Sequence, residues 1–306
     1  MTLDDAISDH DAMSSRGAMS SHGAMSGRAA WQVAAASFRG VAHQASGLPN
    51  QDAARRVAGG PGGAVIAAIA DGHGHSRHFR SGSGSALATD IACQVAAGLA
   101  ATLGQRAESP TGLTDAQVGA VTRADLIPAI AADWRAAVAV HLARQPYLAR
   151  EQARLDAAGD GPEIPYGTTL VVAVITGQWL VCAQVGDGDM LAVRPDGHSF
   201  CPVPAEAKLD GERTRSLCQP DALAAFRVGV HDLDRDPLAA VLLATDGYGN
   251  SQTAEPWQPG VGQDLARFAA AHDFAWFERQ VPGWAQRCAS ADGSGDDTTI
   301  ALMLRS

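Results

Sequence analysis

The stretch GAVIAAIADGHGH, residues 63–75, constrains this chain more than any other. Residues 64–70 hold only Ala, Val and Ile, the composition of a strand buried on both faces. The run stops at Asp71, and Gly72-His73-Gly74 follows. A carboxylate at the end of a buried strand, beside a glycine whose carbonyl can be approached closely, is one way to hold a hard cation. His73 would stand next to that ion, able to move a proton near neutral pH. A single tripeptide of this kind reads more simply as a strand ending in an Asp-Gly turn.

The pattern recurs, and recurrence changes the reading. WLVCAQVGDGD (179–189) ends in Gly186-Asp187-Gly188-Asp189, and AVLLATDGYGN (240–250) carries Asp246-Gly247 after its apolar run. Near the C-terminus GSGDDTTIALML runs the other way, with Asp296 and Asp297 leading into an apolar strand over 299–304. If these four strands lie side by side, their acids converge on one place. Such a cluster repels itself unless cations fill it. An all-oxygen donor set suits Mg²⁺ or Mn²⁺. Asp187 and Asp189 stay open at this level between ligands and turn carboxylates.

Composition narrows the partners. A net charge of −10 argues against a general nucleic-acid binder, which needs a basic face. The five cysteines, at 93, 182, 201, 218 and 288, form no CxxC pair and read as reduced thiols of a cytoplasmic protein. The apolar stretches are broken by Gly, Asp or Arg, so no membrane span is expected, and the first thirty residues lack the apolar core of a signal peptide. Residues 12–29 carry a near-repeat, AMSSRG, AMSSHG, AMSGRA, within a tail (1–30) expected to be disordered and of low complexity.

From Trp31 onward the pattern is that of a folded domain, 31–306. WQVAAASF and residues 53–57 read as strands flanking a polar loop. Residues 83–103 read as a small-residued helix and 104–121 as a loop. A long helix is expected from about 123 to 157, with Pro128 in its first turns and Pro146 kinking or splitting it. TTLVVAVIT and QWLVCAQVG, joined by Gly177-Gln178, read as a hairpin, continued by 190–197. Residues 198–236 read as an irregular flap, and 263–279 as one helix. Strands in meanders with helices between them point to an α+β fold with antiparallel sheets.

Together these residues resemble the metal-dependent Ser/Thr protein phosphatases of type 2C, the PPM family, in its bacterial form. Asn50-Gln51-Asp52 is similar to the family's Asn-Glu-Asp segment, and Ala70 to Gly74 to its Asp-Gly-His-Gly motif. Gly167-Thr168-Thr169, Val185 to Asp189, Thr245-Asp246-Gly247 and Asp296 to Thr299 resemble the remaining motifs, in family order. The resemblance implies two stacked antiparallel β-sheets flanked by helices, an αββα sandwich, with two Mn²⁺ or Mg²⁺ ions at one end. It implies that Asp71 bridges both ions, that the Gly72 carbonyl binds one, and that Asp246 and Asp296 bind the other. Gln51 would lie beside that second ion, and Asp52 would hold metal-bound water. His73 takes the position of the family's general acid. A hydroxide shared by two ions roughly 4 Å apart would attack phosphorus in line. The implied substrate is a phosphorylated protein, with a Ser/Thr kinase or its targets as partner, and the enzyme would act as a monomer.

The departures are specific. Gln51 stands where many members carry Glu, and His43 takes the place of a phosphate-binding Arg. Asp189 replaces the Arg of the Val-Gly-Asp-Ser-Arg motif, and His75 the glycine usual two residues after His73. The first two invite a second reading, a pseudophosphatase that keeps the fold as a binding module. A third, a metallo-β-lactamase-like zinc site over residues 73–78, is opposed by Arg77, which would set a cation among the ligands.

Overall fold

The computed structural model describes residues 30–107, 112–205 and 214–306, and the near-repeat of residues 12–29 lies outside them. The chain opens with strand β1 (Trp31–Phe38), helix α1 (Val41–Ser46) and strands β2 (Ala53–Val57) and β3 (Val65–Ala70). Helices α2 (Ser81–Ala107), α3 (Asp115–Val121), α4 (Ile127–Arg144) and α5 (Ala149–Ala158) follow. Strands β4 (Leu170–Thr176), β5 (Trp179–Val185), β6 (Asp189–Val193) and β7 (Ser199–Phe200) lead to the short α6 (Ala222–Ala225) and to strands β8 (Arg227–Asp232) and β9 (Ala240–Ala244). A single turn α7 (Asp246–Gly249), helices α8 (Gln258–Ala271) and α9 (Phe274–Cys288), and strand β10 (Thr298–Arg305) complete it.

Two five-stranded antiparallel sheets result, ordered β1-β10-β9-β6-β7 and β2-β3-β4-β5-β8. Side-chain alternation explains why the central strands are apolar throughout. Along β3, Val65, Ala67 and Ile69 enter the core between the sheets, where they meet Val171, Val241, Leu243 and Met303. Ile66, Ala68 and Ala70 face the other way, towards α2 and α4 and the wholly buried Trp134. Along β10, Ala301 and Met303 point between the sheets, whereas Ile300, Leu302 and Leu304 pack under α8 and α9 with Phe277 and Trp284. The fold is the four-layer sandwich expected from the sequence.

Several elements differ from that expectation. The loop before Asp52 contains α1, which ends at Gly47 with a left-handed φ of 73°. The stretch 104–121 contains α3, started by Thr114 and Gln117, which cap each other's backbone N–H groups. The long helix over 123–157 is split around Pro146 into α4 and α5, as expected, and Pro128 falls in the first turn of α4. The single helix over 263–279 is two, because Asp273 accepts a hydrogen bond from the Trp276 N–H and starts α9. Among the described residues of 198–236, β8 pairs with β5 and completes a sheet, where the sequence reads as a flap. Gly177 has φ of 57° in the two-residue turn joining β4 to β5.

The expectation about membrane-length stretches also needs correction. Two helical runs, Ser81–Arg106 and Asp115–Arg144, are long and apolar enough to cross a membrane, with mean hydropathy 1.5 and 1.3. Ala-rich composition raises that figure here, and Leu103, Ile130 and Val138 are buried in the core cluster that α2 and α4 share with the second sheet.

Candidate metal and active site

Antiparallel pairing gathers the acids at one end of the sandwich. Ala53 pairs with Ala70, so Asp52, before β2, stands opposite Asp71, after β3. Ala244 pairs with both Ile300 and Asp189, which brings the end of β9 and Asp246 beside the starts of β10 and β6. A bridge between Gly72 and Thr168 holds the start of β4 at the same end. The result is a cavity of about 550 Å³ whose walls include Asp71, Gly72, His73, Asp187, Asp246 and Asp296. Gln51 and Asp52 lie buried behind it, 6% and 8% exposed.

The electrostatics are those of a site built for positive charge. Burial, added to the charges of Asp297 and Asp246, pushes the Asp52 carboxyl up to about 7. Desolvation, with Asp52, Asp246 and Asp187 nearby, raises Asp71 well above the usual carboxylate range. Asp246 is raised by burial and by Asp187, and it shares a hydrogen bond with Asp71. The Thr245 hydroxyl donates to Asp52 Oδ2 at 2.7 Å, while Asp52 Oδ1 and Gln51 Oε1 are buried with no hydrogen-bond partner. Orphaned acceptors beside three mutually repelling carboxylates are costly in a chain alone. Divalent cations fit this donor set, since they supply the missing charge and ligand contacts.

Backbone packing holds the Asp71–His75 turn. The Gly72 N–H donates to the Gln51 carbonyl at 3.1 Å, and a Cβ on Gly72 would lie 2.6 Å from that oxygen and 2.8 Å from the Ser81 carbonyl carbon. Gly72→Ala therefore forces the two segments apart, and a loss of about 1–3 kcal/mol in a urea melt is expected, with weakened metal binding. The Thr168 hydroxyl and the Thr169 N–H both donate to the Asp71 carbonyl, each at 2.9 Å. Gly167 accepts the His73 N–H at 3.1 Å, and a Cβ there would crowd the rings of His73 and His78. Burial and the neighbouring His78, whose ring lies 4.9 Å away, hold His73 down at about 4. His73 is thus neutral at pH 7, not the imidazolium that general-acid chemistry calls for.

Sequence reasoning missed one fastener. Asp297 is 4% exposed and accepts hydrogen bonds from the Gly40 N–H (2.7 Å), the Gln51 N–H (2.6 Å) and His43 Nδ1 (2.7 Å). It thereby ties the first loop, α1 and β10 together. The available signal was its place beside Asp296 with an apolar strand following: alternation makes one of two adjacent acids face inward. Asp187 faces the clustered acids and accepts from the Thr214 hydroxyl at 2.7 Å. Asp189 lines a neighbouring cavity, and burial pushes it up to about 6. Ser216 and Cys218, which no motif signalled, line the same cavity with His75 and His78.

Comparison with known proteins agrees with this geometry. The profile described as protein phosphatase 2C matches residues 39–281. The chain belongs to the protein phosphatase 2C family. No curated protein matches the sequence. Among solved structures, a bacterial serine phosphatase is 15% identical with a TM-score of 0.54, over 90% of this chain and 98% of its own. The S. agalactiae serine/threonine phosphatase is 16% identical with a TM-score of 0.54, over 90% of this chain and all (100%) of its own. PppA, a regulatory component of the T6SS in Pseudomonas aeruginosa, is 15% identical with a TM-score of 0.50, over 91% and 99%. At these identities the likeness is one of fold.

Proposed function

We propose that the chain is a divalent-metal-dependent protein phosphatase that hydrolyses phosphoserine and phosphothreonine. The observation that carries this reading is the convergence of Asp52, Asp71 and Asp246, each raised by burial and by its neighbours, within a family of phosphatases. By the family pattern, Asp71 and the Gly72 carbonyl would hold one Mn²⁺ or Mg²⁺, and Asp71, Asp246 and Asp296 the second. Such ions supply Lewis-acid charge and lower the pKa of water.

The chain's own residues do the rest. Thr245 fixes one oxygen of Asp52, which leaves Oδ1 to accept a proton or orient a water. His73 lines the same cavity as Asp71, and in this reading a leaving seryl or threonyl oxygen would depart beside it. The cavity continues past His73 to Ser216, Cys218 and Ile164, a wall of mixed polarity that suits a phosphorylated side chain and its backbone. Five unpaired thiols, four of them buried, suit a reducing cytoplasm.

Phosphate release from a phosphothreonine peptide tests the reading. Turnover is expected with Mn²⁺ or Mg²⁺, loss of it with EDTA, and recovery when metal is restored. Cysteine-directed phosphatase inhibitors should leave it intact, because burial raises Cys93, Cys182, Cys218 and Cys288 above the ordinary thiol range. Full activity in EDTA, or none with any divalent ion, would overturn it.

A further inference from the structure

His43 occupies a position where the family pattern suggests a phosphate-binding cation, but its surroundings are those of a metal ligand. Its Nδ1 lies 2.7 Å from Asp297 Oδ2. That carboxylate is buried and already held by two backbone N–H groups, which fixes it as the acceptor. A neutral ring donating Nδ1–H to a carboxylate keeps its lone pair on Nε2. This carboxylate–imidazole arrangement is the usual support of a metal-bound histidine.

Nε2 is aimed accordingly. It lies 3.9 Å from Asp296 Oδ1. Two atoms each about 2.1 Å from one ion can be at most about 4.2 Å apart, so this pair can share an ion at a wide angle. A third donor borders the same turn, around Gly74. The position of a Cβ on Gly74 would be 3.8 Å from Gln51 Oε1 and 3.9 Å from His43 Nε2. That Gln51 oxygen is the buried acceptor without a partner, and the bare Gly74 backbone leaves room before it. Asp297 serves as the support of the ring, its two oxygens accepting from Gly40, Gln51 and His43.

The geometry points to His43 Nε2 as a nitrogen ligand of a divalent ion held with Asp296 and the Gln51 side-chain oxygen Oε1. The inference rests on the metal-dependent reading above and refines one of its sites. It also accounts for two departures together: the carboxylate missing at Gln51 is answered by an imidazole, not left uncompensated. A nitrogen donor changes selectivity, because imidazole suits transition ions and Mg²⁺ prefers oxygen. The site should therefore discriminate in favour of Mn²⁺ over Mg²⁺.

Pulsed EPR of the full chain loaded with Mn²⁺, without substrate, reads this directly. Couplings from an imidazole ¹⁴N are expected in the wild type and absent in His43→Ala. Calorimetry should show the weaker of the Mn²⁺ affinities fall at least about tenfold in His43→Ala, with Mg²⁺ affinity changed much less. His43→Arg restores a charge for phosphate but offers no lone pair, so it should match the alanine variant in Mn²⁺ binding. Wild-type protein that binds Mn²⁺ without ¹⁴N coupling, and with unchanged affinity in both variants, would overturn the ligand assignment and leave the metal-dependent reading standing. Wild-type protein that binds no Mn²⁺ would overturn both.

Discussion

Asp71→Asn should remove nearly all turnover and yet stabilise the metal-free chain above pH 7. Both effects come from one charge. With metal present, the carboxylate at the end of β3 would be the shared ligand of the proposed site. Losing several kcal/mol of Lewis-acid stabilisation means about a thousandfold or more in rate. Without metal, the same carboxylate is a liability, raised well above its ordinary value by desolvation and by Asp52 and Asp246. A carboxyl raised on folding contributes stability that is complete below its unfolded pKa and is lost as pH rises through the folded value. Asp52, raised to about 7, behaves the same way. His73 and His78, both lowered, act in the opposite sense, but mainly below about 6.5, where the unfolded chain protonates them. The clean window is therefore about pH 6.5 to 7, where Asp52 is still losing its proton and the histidines no longer gain theirs. There the wild-type chain in EDTA should lose melting temperature as pH rises, and Asp71→Asn should lose less. Each kcal/mol relieved corresponds to roughly 2–4 °C. A hundredfold excess of Mn²⁺ over Kd should stabilise the wild type by about 2.7 kcal/mol and the variant far less. A variant that keeps its turnover, or melts lower than wild type at pH 8 in EDTA, would remove Asp71 from the centre of the site.

The acids were legible in the sequence because their position needs only alternation and chain direction. An apolar run such as 64–70 has one buried register, and antiparallel pairing then decides which ends meet: Asp71, Asp246 and Asp296 follow from that. What escaped depends on contacts between distant side chains. Asp297 and His43 are 254 residues apart in sequence, and nothing local says that one turns inward to hold the other. β8, RVGVHD, lacks the apolar density of its neighbours because it is an edge strand with mostly half-buried residues, so its composition reads as loop. The break between α8 and α9 was visible in Asp273, three residues before Trp276, but a cap and a helical surface aspartate look alike until the preceding turn is seen to end.

The His73→Ala variant decides whether this histidine does acid chemistry. In the chain alone, burial and His78 hold the ring near 4, so an acid role requires something that raises it. A bound phosphoryl dianion is such a group, since an opposite charge within about 4–6 Å favours the imidazolium. If substrate protonates the ring in this way, its proton matters most when the leaving group is a strongly basic alkoxide. Phosphoserine and phosphothreonine are that case, whereas p-nitrophenyl phosphate leaves as a stable phenolate. The variant should then lose roughly 10²-fold in kcat or more on a phosphopeptide and far less on the aryl ester. The wild-type kcat on the peptide should fall with rising pH around an apparent pKa well above 4, and this fall should vanish in the variant. Mn²⁺ affinity should hold, because Asp71, Asp246 and Asp296 remain. Equal losses on both substrates, relieved by higher Mn²⁺, would instead make His73 a support for the metal loop. The contacts that argue for support are those of the ring, packed against His78 and over Gly167. A wedge of that kind changes KM and metal affinity together, and it gives no dependence on the leaving group.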